Sequence, residues 1–289
     1  MADGRATLLH NTIADGIYPL PGYTRRQFAR GEVVAAECVI DELTTIVTHH
    51  GTLYAWAKGQ PQSRALRGRA PVYVATIPDE AHTTVVIRHV WHGGLLAPIT
   101  RDRFRRPTRA PVELLRAFML RECGIPTPEL MGFALYDAGP GFARVDVATR
   151  YVPDSNDFGA VLAQLAPEIS REEAMDAVRV LLNQLSRNGF THPDLNVKNI
   201  LLQKKGVETH ALVLDVDVMR WDPNLPAASI MQLNTERLLR SLMKVRRQFG
   251  ITFTDAERTE FVQRMTYAES VELRPQTSAP ASPAGSPRS

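Results

Sequence analysis

The stretch Thr191-His-Pro-Asp-Leu-Asn-Val-Lys-Asn-Ile-Leu-Leu202 gathers His192, Asp194, Asn196 and Asn199 into one polar run between apolar ones. A second carboxylate follows in Val213-Leu-Asp-Val-Asp217, where Asp215 ends a short apolar run. A loop carboxylate, an amide five residues on and a second carboxylate beyond a strand-turn-strand are the groups that phosphoryl transfer needs. An acceptor hydroxyl must lie in line with the γ-phosphate and give up its proton, which Asp194 can take. Mg²⁺ is a hard cation that prefers oxygen ligands, such as the Asn199 carbonyl and the Asp215 carboxylate. Taken singly, Asp194, Asn196 and Asn199 are also ordinary turn formers. Their joint order with Leu214-Asp-Val-Asp217 is what points to a catalytic loop.

Elements on both sides must position that loop. Upstream, the stripe Met175, Val178, Leu181, Leu182 and Leu185 predicts a helix over Glu172–Asn188, stopped by Gly189. Downstream, Asn199–Leu202 and Ala211–Leu214 read as strands, followed by helices over about Thr235–Phe249 and Asp255–Tyr267. Phe158–Leu165 is a further helix. The first half is richer in strands. Val72–Ile77 and Thr83–Val90 form a hairpin across Pro78-Asp-Glu80, and Met131–Leu135 and Ala143–Tyr151 are two more strands. Between these pairs, Arg109-Ala-Pro111 opens a helix carrying Leu114, Leu115, Phe118 and Met119, closed by Cys123-Gly124. Nearer the start, Thr24 is expected to cap a short helix over Arg25–Val34. Thr44–His49 and Leu53–Ala57 are expected as short strands split by Gly51. The fold class is therefore α+β, with a strand-rich lobe, then a helical lobe, joined near Val152-Pro-Asp154. The expected organisation is an extension over 1–55, lobes over 56–152 and 153–274, and a disordered Pro/Ala/Ser/Gly tail over 275–289.

The 289 residues, 44% of them hydrophobic, suffice for such a two-lobed domain. A net charge of +3 suits an anionic substrate or membrane surface without demanding nucleic acid. Arginines cluster at Arg64–Arg69 and Arg101–Arg109, as a solvated surface or as a docking patch. Cys38 and Cys123 have neither disulfide nor metal spacing. His49-His50 and His89-x-x-His92 lack a third ligand, and Trp91 reads as packing, with sugar stacking as the lesser alternative. No signal peptide or spanning stretch is evident, so a cytoplasmic place is expected.

The loop resembles the catalytic loop of the protein-kinase-like superfamily, His-Arg-Asp-Leu-x-x-x-x-Asn. Asn196, where most protein kinases carry Lys, makes it most similar to the lipopolysaccharide kinase (Kdo/WaaP) family, above all its Kdo-kinase branch. Val86-Ile-Arg-His-Val-Trp-His-Gly-Gly-Leu95, Gly124-Ile-Pro-Thr-Pro128 and Leu66-Arg-Gly-Arg69 resemble further segments of that family, so the likeness spans about residues 60–220. The resemblance implies a protein-kinase-like bilobal fold, ATP and Mg²⁺ as cofactors, Asp194 as base within a catalytic loop holding His192 and Asn196, and Asn199 and Asp215 as metal ligands. It implies that Arg88 contacts ATP, that Glu113 pairs with Arg88, and that Gly68 lies over the phosphates. Arg88 replaces the usual Lys, which exchanges a point charge for a planar fork. Val216-Asp217 replaces Phe-Gly, leaving Asp217 as an extra metal or substrate acceptor or a surface residue. The implied acceptor is a sugar hydroxyl of 3-deoxy-D-manno-octulosonic acid (Kdo) on lipid A, or another lipopolysaccharide core acceptor. The site would then lie peripherally on the cytoplasmic face of the inner membrane, with no protein partner and no nucleic acid. A heptose or free small-molecule kinase, or a non-catalytic nucleotide-binding pseudokinase, are the alternatives.

Overall fold

The computed structural model describes residues 20–66, 71–91, 102–249 and 254–266. Gly68, Gly93, Gly94, His92, the first nineteen residues and the tail over 275–289 lie outside the described residues.

The strand-rich half is one antiparallel sheet. β1 (Tyr23–Phe28) and β2 (Gly31–Ala36) form a hairpin, and β2 pairs with β7 (Leu130–Asp137). The sheet continues through β8 (Phe142–Arg150), β5 (Thr84–His89), β4 (Val72–Thr76) and β3 (Arg64–Leu66). β6 (Phe104–Arg105) pairs with the first residues of β8. Residues 20–36 therefore supply two strands of the sheet itself, and the segment is more than an extension packed on it.

Two expectations near the start are corrected. Arg25–Val34 is not a helix: Val33, Val34 and Ala35 are buried in a central strand, while Arg25 and Arg26 lie exposed on the edge strand. Burial on both faces of a sheet suits β-branched residues, and this outweighs the weak cap signal at Thr24. Conversely, Thr44–His49 and Leu53–Ala57 are helical, within α1 (Ile40–His50) and α2 (Leu53–Gly59). Ile40, Leu43, Ile46 and Val47 are buried at helical spacing. The Thr44 and Thr48 hydroxyls each donate to the carbonyl four residues earlier, at 2.7 Å, which accommodates β-branched residues in the helix.

α3 (Ala110–Glu122) packs against β7, with Ala110, Glu113, Leu114, Ala117 and Leu120 among its buried residues. The helix-rich half contains α4 (Phe158–Leu162), α5 (Arg171–Arg187), α6 (Ala227–Phe249) and α7 (Asp255–Thr266). A Ser170–Glu173 capping box starts α5. Between the helices lie β9 (Ser155–Asp157), which pairs with β11 (Ile200–Lys205), itself paired with β12 (Glu208–Val213). The two halves are stitched where Val213 N–H donates to the Pro126 carbonyl and the Thr127 hydroxyl donates to the Val213 carbonyl. The observed α+β, strands-then-helices order is the one expected. Among the described residues, no helix is long and apolar enough to cross a membrane.

Candidate active site

Alternation along β5 sends Arg88 toward α3 and His89 to the opposite face. On the α3 side, the Arg88 guanidinium makes an ion pair with Glu113, a residue on the buried face of that helix. Burial opposes the Arg88 charge, but Glu113, joined by Asp215 and Asp217, raises its pKa above the ordinary value. Asp217 lies in the 3-10 turn Val216–Val218 against α3, with Arg109 at 3.7 Å. Burial pushes its carboxyl above the usual carboxylate range, against the pull of Arg88.

The loop begins where Gly189 ends α5 in the left-handed region, at φ 80°. A Cβ there would meet the Asp222 carbonyl at 2.9 Å, so the close approach of that segment requires glycine. β10 (Phe190–Thr191) then pairs with β13 (Arg220–Trp221). His192 is buried, and its Nε2 donates to the Leu214 carbonyl at 3.0 Å. Burial lowers its pKa, which favours a neutral ring, and its hydrogen bond ties the loop to Leu214. Asn196 bridges within the loop: its Oδ1 accepts from Lys198 N–H at 2.9 Å and its Nδ2 donates to the Asp194 carbonyl at 3.0 Å. Asn199 Nδ2 donates to that same carbonyl at 3.0 Å, which leaves Oδ1 as the free end of a buried amide.

Leu214 ties the second carboxylate to the loop. Its carbonyl accepts from His192, and its N–H donates to the Asn199 carbonyl at 2.9 Å. Asp215 follows in a left-handed conformation, at φ 54° and ψ 48°. Non-glycine residues seldom adopt it, and such outliers persist where surrounding structure holds them, often at functional sites. Asp194 itself stays accessible, with 60% side-chain exposure. Among the described residues, no group of three or more His, Cys, Asp and Glu forms a metal cage. A cation held by Asn199 and Asp215 would thus complete its shell with ligand or water oxygens, as Mg²⁺ usually does.

Three residues on α6, none of them in the sequence motifs above, also meet the loop. Asn234 Oδ1 accepts from His192 N–H at 2.9 Å, and its Nδ2 donates to the Phe190 carbonyl at 3.0 Å. Ser241 Oγ accepts from Val197 N–H at 3.2 Å. Arg237 donates from Nε to the Pro193 carbonyl at 2.7 Å and from Nη2 to Asp194 Oδ1 at 2.5 Å. Their spacing puts them on one helix face, a polar stripe that could have been read beside the apolar one.

The lipopolysaccharide kinase (Kdo/WaaP) family model matches residues 56–265. The chain belongs to this family. It is accordingly a kinase, and the match runs from the last residues of α2 through the helix-rich half. Among its relatives, the 3-deoxy-D-manno-octulosonic acid kinase of Haemophilus influenzae is 28% identical over 69% of this chain and 83% of its own. That of Xylella fastidiosa is 28% identical over 71% and 79%, and that of Actinobacillus succinogenes 26% over 70% and 83%. Among solved structures, WaaP in complex with acyl carrier protein is 14% identical over 71% of this chain and 78% of its own, at a TM-score of 0.44.

Proposed function

We propose that this lipopolysaccharide kinase transfers the γ-phosphate of ATP to a hydroxyl of Kdo on lipid A, in the inner core of lipopolysaccharide. The observation that carries this is the charge around Arg88. Two arginines, Arg88 and Arg109, face three carboxylates, Glu113, Asp215 and Asp217. A partly buried cluster with surplus negative charge gains from one more cation. Asn199 Oδ1 and the Asp215 carboxylate offer the hard oxygens that suit Mg²⁺. Mg²⁺ bound there would neutralise phosphate charge as it develops. Arg88, held in place by Glu113, supplies a fixed positive charge for the α- and β-phosphates. The acceptor oxygen attacks the γ-phosphorus, its proton passes to the Asp194 carboxylate, and ADP leaves. His192 and Asn196 keep the loop in shape.

The relatives support the Kdo acceptor, since several are named 3-deoxy-D-manno-octulosonic acid kinases. It is anionic and membrane-held. Exposed Arg105 beside half-buried Phe104 fits a peripheral place on an anionic surface, whereas Arg106 already pairs with Glu32 and Asp137. The test is Mg²⁺-dependent transfer of labelled γ-phosphate from ATP to Kdo-lipid A by wild type and Asp194→Ala. Labelled lipid should form with wild type and fall by several powers of ten with the variant. No labelled lipid despite tight ATP binding would move the reading to a heptose or small-molecule acceptor, or to a non-catalytic nucleotide-binding protein.

A further inference from the structure

Of the three polar residues that α6 turns toward the catalytic loop, Asn234 and Ser241 hold backbone groups. Arg237, between them, also reaches the Asp194 side chain. A carboxylate on an exposed loop samples several rotamers, and only some would aim an oxygen at an incoming hydroxyl. The Arg237 guanidinium binds the Pro193 carbonyl and Asp194 Oδ1 at once, so the backbone and the carboxylate are fixed against each other. With Oδ1 engaged, Oδ2 is the oxygen left to accept a proton. The guanidinium is in turn anchored by α6, whose neighbouring Asn234 is almost fully buried.

We propose that Arg237 is a positioning residue that presents Asp194 to the acceptor hydroxyl. This rests on Asp194 being the base. It differs from a general support of the fold, and from an inhibitory cap on the base whose removal would raise the rate.

The test is a double-mutant cycle in γ-phosphate transfer to Kdo-lipid A, using Arg237→Gln, Asp194→Asn and the two combined. Each protein is first checked by thermal melting and by Mg-ADP binding. Arg237→Gln should lower kcat roughly 30- to 100-fold while the KM for ATP moves by less than about twofold. Arg237→Lys should recover only a small part, because an ammonium group cannot make the two-point fork. In the Asp194→Asn background, losing Arg237 should cost nothing further, since no carboxylate remains to be placed. The same fold-loss in both backgrounds would make Arg237 a general support, and an unchanged or higher kcat would also overturn the proposal. Wild-type activity in Asp194→Asn would sink the base assignment itself. An inactive Asp194→Asn beside a fully active Arg237→Gln would sink only the positioning role. Should Arg237→Gln fail to fold, Arg237→Lys takes its place in the cycle.

Discussion

Consecutive residues of β5 send charges to opposite faces of one sheet, and their surroundings differ in balance. On the α2 side, His89 lies between two carboxylates, with Nδ1 2.6 Å from Asp146 and Nε2 3.2 Å from Asp102. Fully buried Asp146 also accepts from the Tyr136 hydroxyl and from Tyr54 N–H, each at 2.9 Å. Asp102 has a second cation, Arg144, at 2.8 Å. Among the described residues, two cations meet two carboxylates here. On the α3 side, two arginines meet three carboxylates among the described residues. A balanced buried network rigidifies a fold, whereas an unbalanced one persists where something outside the chain completes it. The outer face of the sheet thus ties α2 to β7 and β8, and the inner face carries the surplus carboxylate.

Of the variants that test this contrast, those on the inner face should have the largest effect. Arg88→Met should lower phosphoryl transfer roughly 100- to 1000-fold, because a fixed charge on the phosphates is lost. It should also destabilise the fold by about 3 kcal/mol, since the Glu113 carboxylate is left buried without its partner. Adding Glu113→Gln should restore most of the stability, read from denaturant midpoints, and none of the activity. A double variant that regained activity would mean that the Arg88–Glu113 pair holds the lobe together and does nothing for the phosphates.

The two faces were unequally legible in the sequence. Arg88, Glu113, Asp194, Asn199 and Asp215 stand in an ordered pattern, and the ion pair between Arg88 and Glu113 is present as expected. The sequence offers His89 only a neighbour at His92, whereas its partners, Asp102 and Asp146, come from a distant turn and strand. Long-range partners carry no local spacing signal. The same holds for Asn234, Arg237 and Ser241, which meet the loop about forty residues after it. Thr44–His49 and Leu53–Ala57 read locally as strands, whereas buried Ile40, Leu43 and Val47 in α1 and buried Leu53, Trp56 and Ala57 in α2 fall at helical spacing, and that spacing decided the fold.

A smaller effect is expected on the outer face. Asp146→Asn puts an amide donor among the donors of His89, Tyr54 and Tyr136, and should cost about 3 kcal/mol of stability. The kcat of the folded fraction should stay within about twofold of wild type, because the described partners in that network, Tyr54, Asp102, Tyr136 and Arg144, lie outside the catalytic loop. A large drop in kcat at unchanged stability would place the outer network in catalysis and erase the contrast between the faces.

The smallest effect is in pH dependence, and it has opposite signs at the two histidines. Burial opposes the charge on His89, but Asp146 and then Asp102 raise its pKa above the ordinary value. The folded state therefore holds its proton more tightly than the unfolded chain. The stability it contributes is complete below about pH 6.5 and is lost as pH rises through the folded value. His192 is the reverse case: burial lowers its pKa, so its contribution is present above about pH 6.5 and is lost as pH falls. Urea midpoints of wild type measured across this range should decline on both sides. His89→Gln should flatten the alkaline limb, and His192→Gln the acid limb. If His89→Gln flattened the acid limb instead, His89 would be neutral in the folded protein. Asp102 and Asp146 would then share too little positive charge, and the outer face would be as unbalanced as the inner one.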